Sequence, residues 1–202
     1  MFWKKNKPAE TPVHIPSSDG DSSLVPRSPS DVAKRLLAII AVVGRTHEQP
    51  PERVTAWLSS NGIGEFFSQN EQAYFFSATP SQDEMVAFSW RAEAAGSLIW
   101  ALGGLDNFPA LNEQFDIYQT SLIKKAIEDP KAFIQSACLQ EIGRIQEQEQ
   151  HLYHQHWRVR DAQLFGREMP PELHPGIVYE RRYALSWLVG CGEDWDDVPT
   201  DT

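Results

Sequence analysis

The chain has little of several things that would direct a functional assignment. Its 202 residues include two cysteines, Cys138 and Cys191, far apart and outside any metal-ligand spacing. A disulfide scaffold is therefore not expected, and two plain thiols suit a reducing cytoplasm, where we expect the protein to reside. The sequence also lacks a phosphate-binding glycine loop, a nucleophile elbow and paired zinc ligands. We predict no cofactor and no metal site.

Long apolar runs and positive charge are also scarce. The longest apolar run, residues 36–43, has eight residues, whereas a membrane-spanning helix needs about 20. Lys and Arg number 18 against 28 Asp and Glu, so the net charge is -10. Such a surface repels phosphate backbones. We expect neither a membrane span nor a nucleic-acid partner.

What the chain does have is enough apolar and aromatic material for a packed core. Hydrophobic residues make up 41% of it, with seven Trp and ten Phe, which is far above a disordered composition. Residues 1–27 are the exception, since they carry Pro, Ser, Asp and Gly without periodicity. They predict a disordered leader, in which Phe2 and Trp3 beside lysines offer weak contact with an anionic membrane surface. Residues 28–202 then form a single helical domain.

Apolar residues in that domain recur at steps of three and four, the period of a helix. Ser28-Pro29 predicts a helix start and Gly44 its end. Further helices are predicted over 52–61, over 79–102 with Pro80 at the first position, over 117–127, over 133–165 and over 175–189. Residues 64–78 fit either short helical turns or a hairpin, with helix favoured. No sustained strand alternation occurs, so the predicted fold is an all-α, irregular bundle of six to eight helices.

The densest polar patch lies on the predicted helix 133–165. His156 falls on its apolar stripe and therefore needs a hydrogen-bond partner if buried. One interpretation is a structural histidine in the core. The functional interpretation is a catalytic acid or base. Arg160, one turn further on, and Trp157 are candidates to bind an anionic ligand. His151 and His154 share a face, but His156 points away from it, so a three-histidine metal site is excluded.

A second group of charges falls on apolar faces of two other predicted helices. Glu93 and Arg91 belong to the helix 79–102, and Glu180 and Arg181 to the last helix. Buried charges are seldom tolerated unpaired, so we expect these residues, together with Arg160, to pair across helices. A structural ion-pair layer is the favoured interpretation. The alternative is an active site in which Glu93 or Glu180 works with His156, and Arg91 and Arg181 bind the substrate.

The C-terminal residues 193–202 carry five acids and no base. A run of this kind is usually a solvated tail. Trp195 and Val198, spaced among the acids, are apolar anchors that a solubilising tail does not need. We therefore expect this segment to fold back as a strap, with its acids near Arg158, Arg160, Arg181 or Arg182 and with Trp195 a candidate ligand contact.

The motifs resemble those of a bacterial family, the domain of unknown function numbered 4272, over roughly residues 27–202. They are Tyr153-x-x-His156-Trp157, Glu180-Arg181-x-x-Ala184-Leu185-x-Trp187-Leu188 and Trp195-Asp196-Asp197-Val198, with Trp90-Arg91-x-Glu93-Ala94 earlier in the chain. The resemblance implies a cytoplasmic bacterial protein and supplies no activity. At Gln150 and His154 the chain departs from the family pattern, which often has Asp and Arg there.

Two functional hypotheses follow from the sequence. The first is a non-enzymatic module that binds a protein partner or a small anionic ligand, because acidic charge and surplus aromatics occur without a catalytic signature. The second is a hydrolase or transferase acting on an anionic substrate, with His156 as acid or base. An open cleft lined by His156, Arg160, Glu93 and Arg181 would favour the enzyme, and a sealed layer would favour the binding module.

Overall fold

The computed structural model describes residues 24–47 and 51–200. The prediction of an irregular all-α bundle is confirmed: within these two ranges there are helices and no strand. Most of the predicted leader, with its membrane-contact hypothesis for Phe2 and Trp3, lies outside the described residues. Arg27 is described, and its backbone N–H donates to the carbonyl of Leu188 at 2.8 Å.

The helices follow one another with short connections. In chain order they are α1 (Pro29–His47), α2 (Glu52–Asn61), α3 (Gln69–Phe75), α4 (Gln82–Ser89), α5 (Arg91–Ala101), α6 (Ser121–Glu128), α7 (Pro130–Gln135), α8 (Ile142–Leu164) and α9 (Pro175–Leu188). Single 3-10 turns occupy Ile63–Phe66, Ile117–Gln119 and Trp195–Asp197.

Three helices form the centre of the bundle. Helix α5 packs between α1 and α9, and α9 also packs on α8. The apolar run 36–43 of α1 is buried along its whole length, because α1 touches α2, α3, α4 and α7 on its other sides. Helix α5 is buried from Glu93 to Ala101. This arrangement brings charged positions of α5 and α9 into the same interior layer.

The predicted end of α1 at Gly44 is wrong, since the helix continues to His47. Gly44 instead serves packing. A β-carbon built on it would stand 3.2 Å from Cγ2 of Val54 in α2, which is closer than ordinary van der Waals contact. The glycine therefore permits the close approach of a neighbouring helix.

The predicted helix 79–102 is two helices, α4 and α5, separated at Trp90. The start predicted at Pro80 is also wrong: Ser81 is the N-cap, and Ser81 and Glu84 bond reciprocally in a capping box. The Trp90 ring stacks on His174 with centroids 5.3 Å apart. Of these two helices, α5 is buried in the bundle, whereas α4 has no buried residue.

The predicted helix 133–165 is also wrong, because residues 136–141 separate α7 from α8. The backbone N–H of Gln140 donates to the carbonyl of Ala101 at 2.8 Å, and its side-chain amide donates to the carbonyl of Trp100. These bonds hold the connection against the end of α5. Cys138, which the predicted helix 133–165 would include, is exposed in this connection.

The segment left open between helix and hairpin, and the helix predicted over 117–127, are both helical. Residues 64–78 contain the 3-10 turn Ile63–Phe66 and then α3, which starts with a capping box between Ser68 and Glu71. Residues 117–128 are a 3-10 turn followed by α6. The starts predicted for the first and last helices agree with the structure: the hydroxyl of Ser28 accepts from the N–H of Asp31 at 3.1 Å, and α9 begins at Pro175.

Candidate functional site

The interface of α5 and α9 contains a buried ion pair between Glu93 and Arg181. Two nitrogens of Arg181, Nε and Nη2, donate to one oxygen of Glu93 at 3.0 and 2.7 Å. The other oxygen of Glu93 accepts from the N–H of Phe115 at 3.0 Å. Arg181 also donates to the carbonyls of Pro109, Ala110 and Glu113. These hydrogen bonds hold the connection 109–115 against the central helices α5 and α9.

The second predicted pair lies beside the first. Arg91 Nη1 donates to Glu180 at 3.0 Å, and the Arg91 guanidinium lies 4.8 Å from the ring centroid of Tyr183 and 5.8 Å from that of Trp195. Burial raises the pKa of Glu180, and Arg91 opposes that rise. Glu93, Glu180, Arg91 and Arg181 therefore pair across helices as expected, whereas Arg160 is exposed on α8.

His156 occupies a separate polar layer between α8 and α9. Arg182 Nη1 donates to its Nδ1 at 2.6 Å, so Nδ1 accepts and the ring is neutral, because a guanidinium can only donate. The ring also meets the edge of Tyr179. Burial, then the charges of Arg182 and Arg160, lower the pKa of His156 to about 4. His156 is thus held as a buried, neutral acceptor.

The other sequence candidates do not join these layers. Arg160 and Trp157 are exposed on the outer surface of α8, whereas Arg181 is fully buried and Glu93 nearly so. No open cleft therefore brings His156, Arg160, Glu93 and Arg181 together. Trp195 is buried beside Arg91.

Sequence reasoning missed the buried contacts of two arginines. Arg182, the partner of His156, is one position beyond Arg181, and the 100° step of a helix turns it toward α8 rather than α5. Arg35 of α1 forms a buried ion pair with Glu71 of α3. Its position inside an apolar helix, and the capping-box spacing of Ser68 and Glu71, were the available signals.

The C-terminal segment, residues 193–200, folds back on the bundle. Trp195 and Val198 are buried, and Trp195 meets Tyr183 and Trp187 edge-on. The acids do not pair as expected with Arg158 or Arg181, whose partners are Glu172 and Glu93. Asp196 instead accepts from the backbone N–H of Asn70 at 3.0 Å. Of the four arginines considered, Arg182 reaches the segment, through the carbonyl of Thr200.

A cleft of about 680 Å³ opens between this segment, the first turns of α1 and the chain at 65–69. Its basic side chains are Arg27, Lys34 and Arg35, its aromatic ones are Phe66, Phe67, Trp187 and Trp195, and its acids are Asp31, Glu65, Glu193, Asp194, Asp196 and Asp197. We call it the C-terminal cleft. Its volume is typical of a ligand site.

The basic side chains of the C-terminal cleft are engaged within the protein. Arg27 donates to the carbonyls of Gly192 and Glu193 at 2.5 and 2.9 Å. Lys34 lies 3.6 Å from Asp31, and Arg35 pairs with Glu71. Five of the carboxylates are exposed: Asp31, which lies beside Lys34, and Glu65, Glu193, Asp194 and Asp197. The rim of the cleft is therefore negative.

Two features are absent from the described part of the chain. Over residues 24–47 and 51–200, no group of three His, Cys, Asp or Glu side chains is placed to hold a metal ion. In the same ranges no helix has the length and apolar character needed to cross a membrane.

Comparison with known proteins places the chain in a family without assigning an activity. Neither the curated proteins nor the solved structures include a match. One family model, described as a domain of unknown function, matches residues 4–198. The match begins ahead of Arg27, where the resemblance of the motifs began, and it ends at Val198. The chain belongs to the family defined by this domain of unknown function, DUF4272.

Proposed function

We propose that the protein is a non-enzymatic binding module whose C-terminal cleft receives a positively charged segment of a partner protein. The proposal rests on a difference between the basic and the acidic side chains of this cleft. Its three basic side chains have partners within the chain, whereas five carboxylates at its rim face solvent. Such a rim attracts cations and repels anions.

The aromatic walls of the cleft support the same ligand class. The Arg35 guanidinium lies 4.9 Å from the ring centroid of Trp195. Arg27 lies 5.4 Å from the centroid of Trp187, and Lys34 lies 5.9 Å from that of Phe66. The rings of Trp187 and Trp195 are buried against Arg27 and Arg35, so the partly exposed Phe66 is the ring that a ligand's cation can contact. A lysine- or arginine-rich segment has the required positive charge, carried on side chains that are long enough to enter the cleft.

The buried polar layers support binding rather than catalysis. Arg91 and Arg181 are neutralised by Glu180 and Glu93, so an anionic ligand would have to displace a buried carboxylate from either guanidinium. His156 lies in the core with its Nδ1 bonded to Arg182. We place the interaction in the cytoplasm, since Cys138 and Cys191 are both free thiols.

The test is a titration of the full chain with a short lysine-rich peptide, followed by the fluorescence of the tryptophans in the cleft wall. We expect saturable binding that weakens as salt increases, because exposed charges are screened. The variant Glu193→Gln/Asp194→Asn/Asp197→Asn should bind at least about tenfold more weakly, a loss of about 1.4 kcal/mol.

A matched control makes the same charge change elsewhere, at the exposed acids Asp106, Glu128 and Glu147. This control should bind the peptide like the unaltered protein. Equal losses in the two triple variants would show general charge attraction and contradict the cleft as the site. Tighter binding of a glutamate-rich peptide would overturn the proposed ligand class.

A further inference from the structure

Exposed large apolar side chains are concentrated on helix α8. Twelve such residues are exposed in the described part of the chain, and five of them belong to α8 or the residue that ends it: Ile142, Tyr153, Trp157, Leu164 and Phe165. Leu164 and Phe165 are 69% and 67% exposed, and Trp157 is 52% exposed. A concentration of this kind on one surface is typical of an interaction site.

Four of these side chains lie on the same side of α8. At 100° per residue, Ile142, Tyr153, Trp157 and Leu164 fall within a sector of roughly 60° around the helix axis. Gln146 and Arg160 fall in the same sector, Gln150 lies about 20° beyond its edge, and all three are exposed. We call these seven positions the outer stripe of α8. It runs the whole length of the helix, on a different side from the buried Ile145, Leu152 and Val159.

We propose that two copies of this chain pair through the outer stripe of α8, with the helices antiparallel about a twofold axis near Tyr153. This dimer does not depend on the proposed cation binding, because the C-terminal cleft and the outer stripe share no residue.

Three of the four apolar residues match this symmetry, and Trp157 falls opposite position 149. Ile142 lies 153 − 142 = 11 residues before Tyr153, and Leu164 lies 164 − 153 = 11 residues after it. A twofold axis at Tyr153 therefore sets Ile142 of one copy opposite Leu164 of the other, and each Tyr153 opposite its counterpart. An interface of two identical patches must be self-complementary in this way.

Charge favours a second copy at this surface. The chain has a net charge of -10, so two copies repel one another over most of their surfaces. The seven positions of the outer stripe include no Asp or Glu. Its single charge, Arg160, falls opposite the neutral amide of Gln146 because 160 and 146 are equidistant from 153. The pairing thus opposes no two like charges along the stripe.

The available area suits a reversible dimer. A helix of 23 residues is about 34 Å long. Two such helices in contact, with Phe165 and Tyr179 at the edges, bury on the order of 1,200 Å² in total, the lower end for specific interfaces. Trp157, near the centre of the stripe, has the residue type that most often dominates binding energy.

Sedimentation of the full chain tests the association. We expect a monomer–dimer equilibrium, and we expect Trp157→Glu to raise its dissociation constant by more than about thirtyfold, the effect of losing a central aromatic anchor. The control is Val86→Glu, which alters an apolar residue of α4 that is 47% exposed and should leave the equilibrium unchanged. Circular dichroism confirms that both variants remain folded.

Disulfide trapping tests the register, in a Cys138→Ser background that removes the exposed thiol. Tyr153→Cys should form a covalent dimer on oxidation. Arg160→Cys alone should not, because its two copies lie about 21 Å apart along the antiparallel helices, beyond disulfide reach. A mixture of Arg160→Cys and Gln146→Cys should cross-link. A purely monomeric protein, a dimer insensitive to Trp157→Glu, or trapping at 160 without 153 would overturn the proposal.

Discussion

Arg181 places two of its nitrogens, Nε and Nη2, at 3.0 and 2.7 Å from a single oxygen of Glu93, in a part of the core where the arginine has no exposed surface. The remaining donors of the guanidinium reach backbone carbonyls of the connection 109–113. The side chain is therefore saturated with acceptors. A layer of this kind positions α5, α9 and a long connection relative to one another.

Arg181→Met is expected to lower the free energy of unfolding by about 3–5 kcal/mol, because it leaves the Glu93 carboxylate buried without its cation. Urea unfolding measures the loss. The matched control is Arg158→Met, which removes an exposed pair with Glu172 and should cost less than about 1 kcal/mol. Similar losses in the two variants would show that the buried pair does not stabilise the fold as argued.

The stability of the protein is expected to fall as the pH drops from about 6.5 toward 4. His156 has a pKa of about 4 in the folded protein against 6.5 in the unfolded chain. In that window the unfolded chain binds the additional proton, so acid favours unfolding by at most about 1.4 kcal/mol per pH unit. Above about 6.5 this contribution is constant.

Urea unfolding at several pH values, for the unaltered chain and for His156→Gln, isolates this effect. The carboxylates titrate in both proteins, so the difference between the two curves reports the histidine. We expect a shallower acid dependence in His156→Gln and an unchanged one in the control His154→Gln, whose histidine is exposed. An identical dependence in all three proteins would mean that the protonation of His156 does not oppose folding.

The sequence was sufficient for the elements whose signals are local. Helix starts at Ser28 and Pro175 agree with the structure, because capping and the fixed backbone of proline act within one turn. The pairing of Glu93 with Arg181 was also accessible, since a charge on an apolar helical face must find a partner. The burial of Glu93 and Arg181 could therefore be inferred from periodicity.

Features that depend on tertiary contacts could not be predicted in this way. Residues 136–141 leave the helical path because Gln140 bonds to the end of α5, and neither glycine nor proline marks that break. Gly44 resembles a helix end locally, yet it permits contact with Val54. The C-terminal cleft gathers residues from both ends of the described chain, so no local pattern identifies it.

Trp195→Ala is expected to destabilise the protein by about 3–5 kcal/mol, as large buried aromatic residues do on truncation. The ring packs against Tyr183 and Trp187 and stacks with Arg35, and the Trp195 carbonyl accepts from the Tyr183 hydroxyl. Urea unfolding in dilute solution measures the change. Trp157→Ala, which removes an exposed indole, should cost no more than about 0.5 kcal/mol. Comparable losses would contradict the anchoring of the C-terminal segment by Trp195.

Gly190→Ala is expected to loosen the chain before α1 as well as destabilise the fold. Gly190 has a φ of +106°, and a β-carbon there would lie 2.6 Å from the carbonyl oxygen of Val25, a distance that forces the backbone apart. The control is Gly166→Ala, where φ is +59° and nothing lies within 4 Å. Gly166→Ala therefore reports the backbone strain alone, roughly 1–2 kcal/mol.

Two measurements separate strain from steric conflict. Urea unfolding should show a larger loss for Gly190→Ala than for Gly166→Ala. Trypsin should also cleave after Arg27 faster in Gly190→Ala, because displacement of Val25 weakens the bonds that hold Arg27 to Leu188, Gly192 and Glu193, and proteases act on loosened segments. Equal stability losses with unchanged cleavage at Arg27 would show that residues 24–27 are not held in place by their close approach to Gly190.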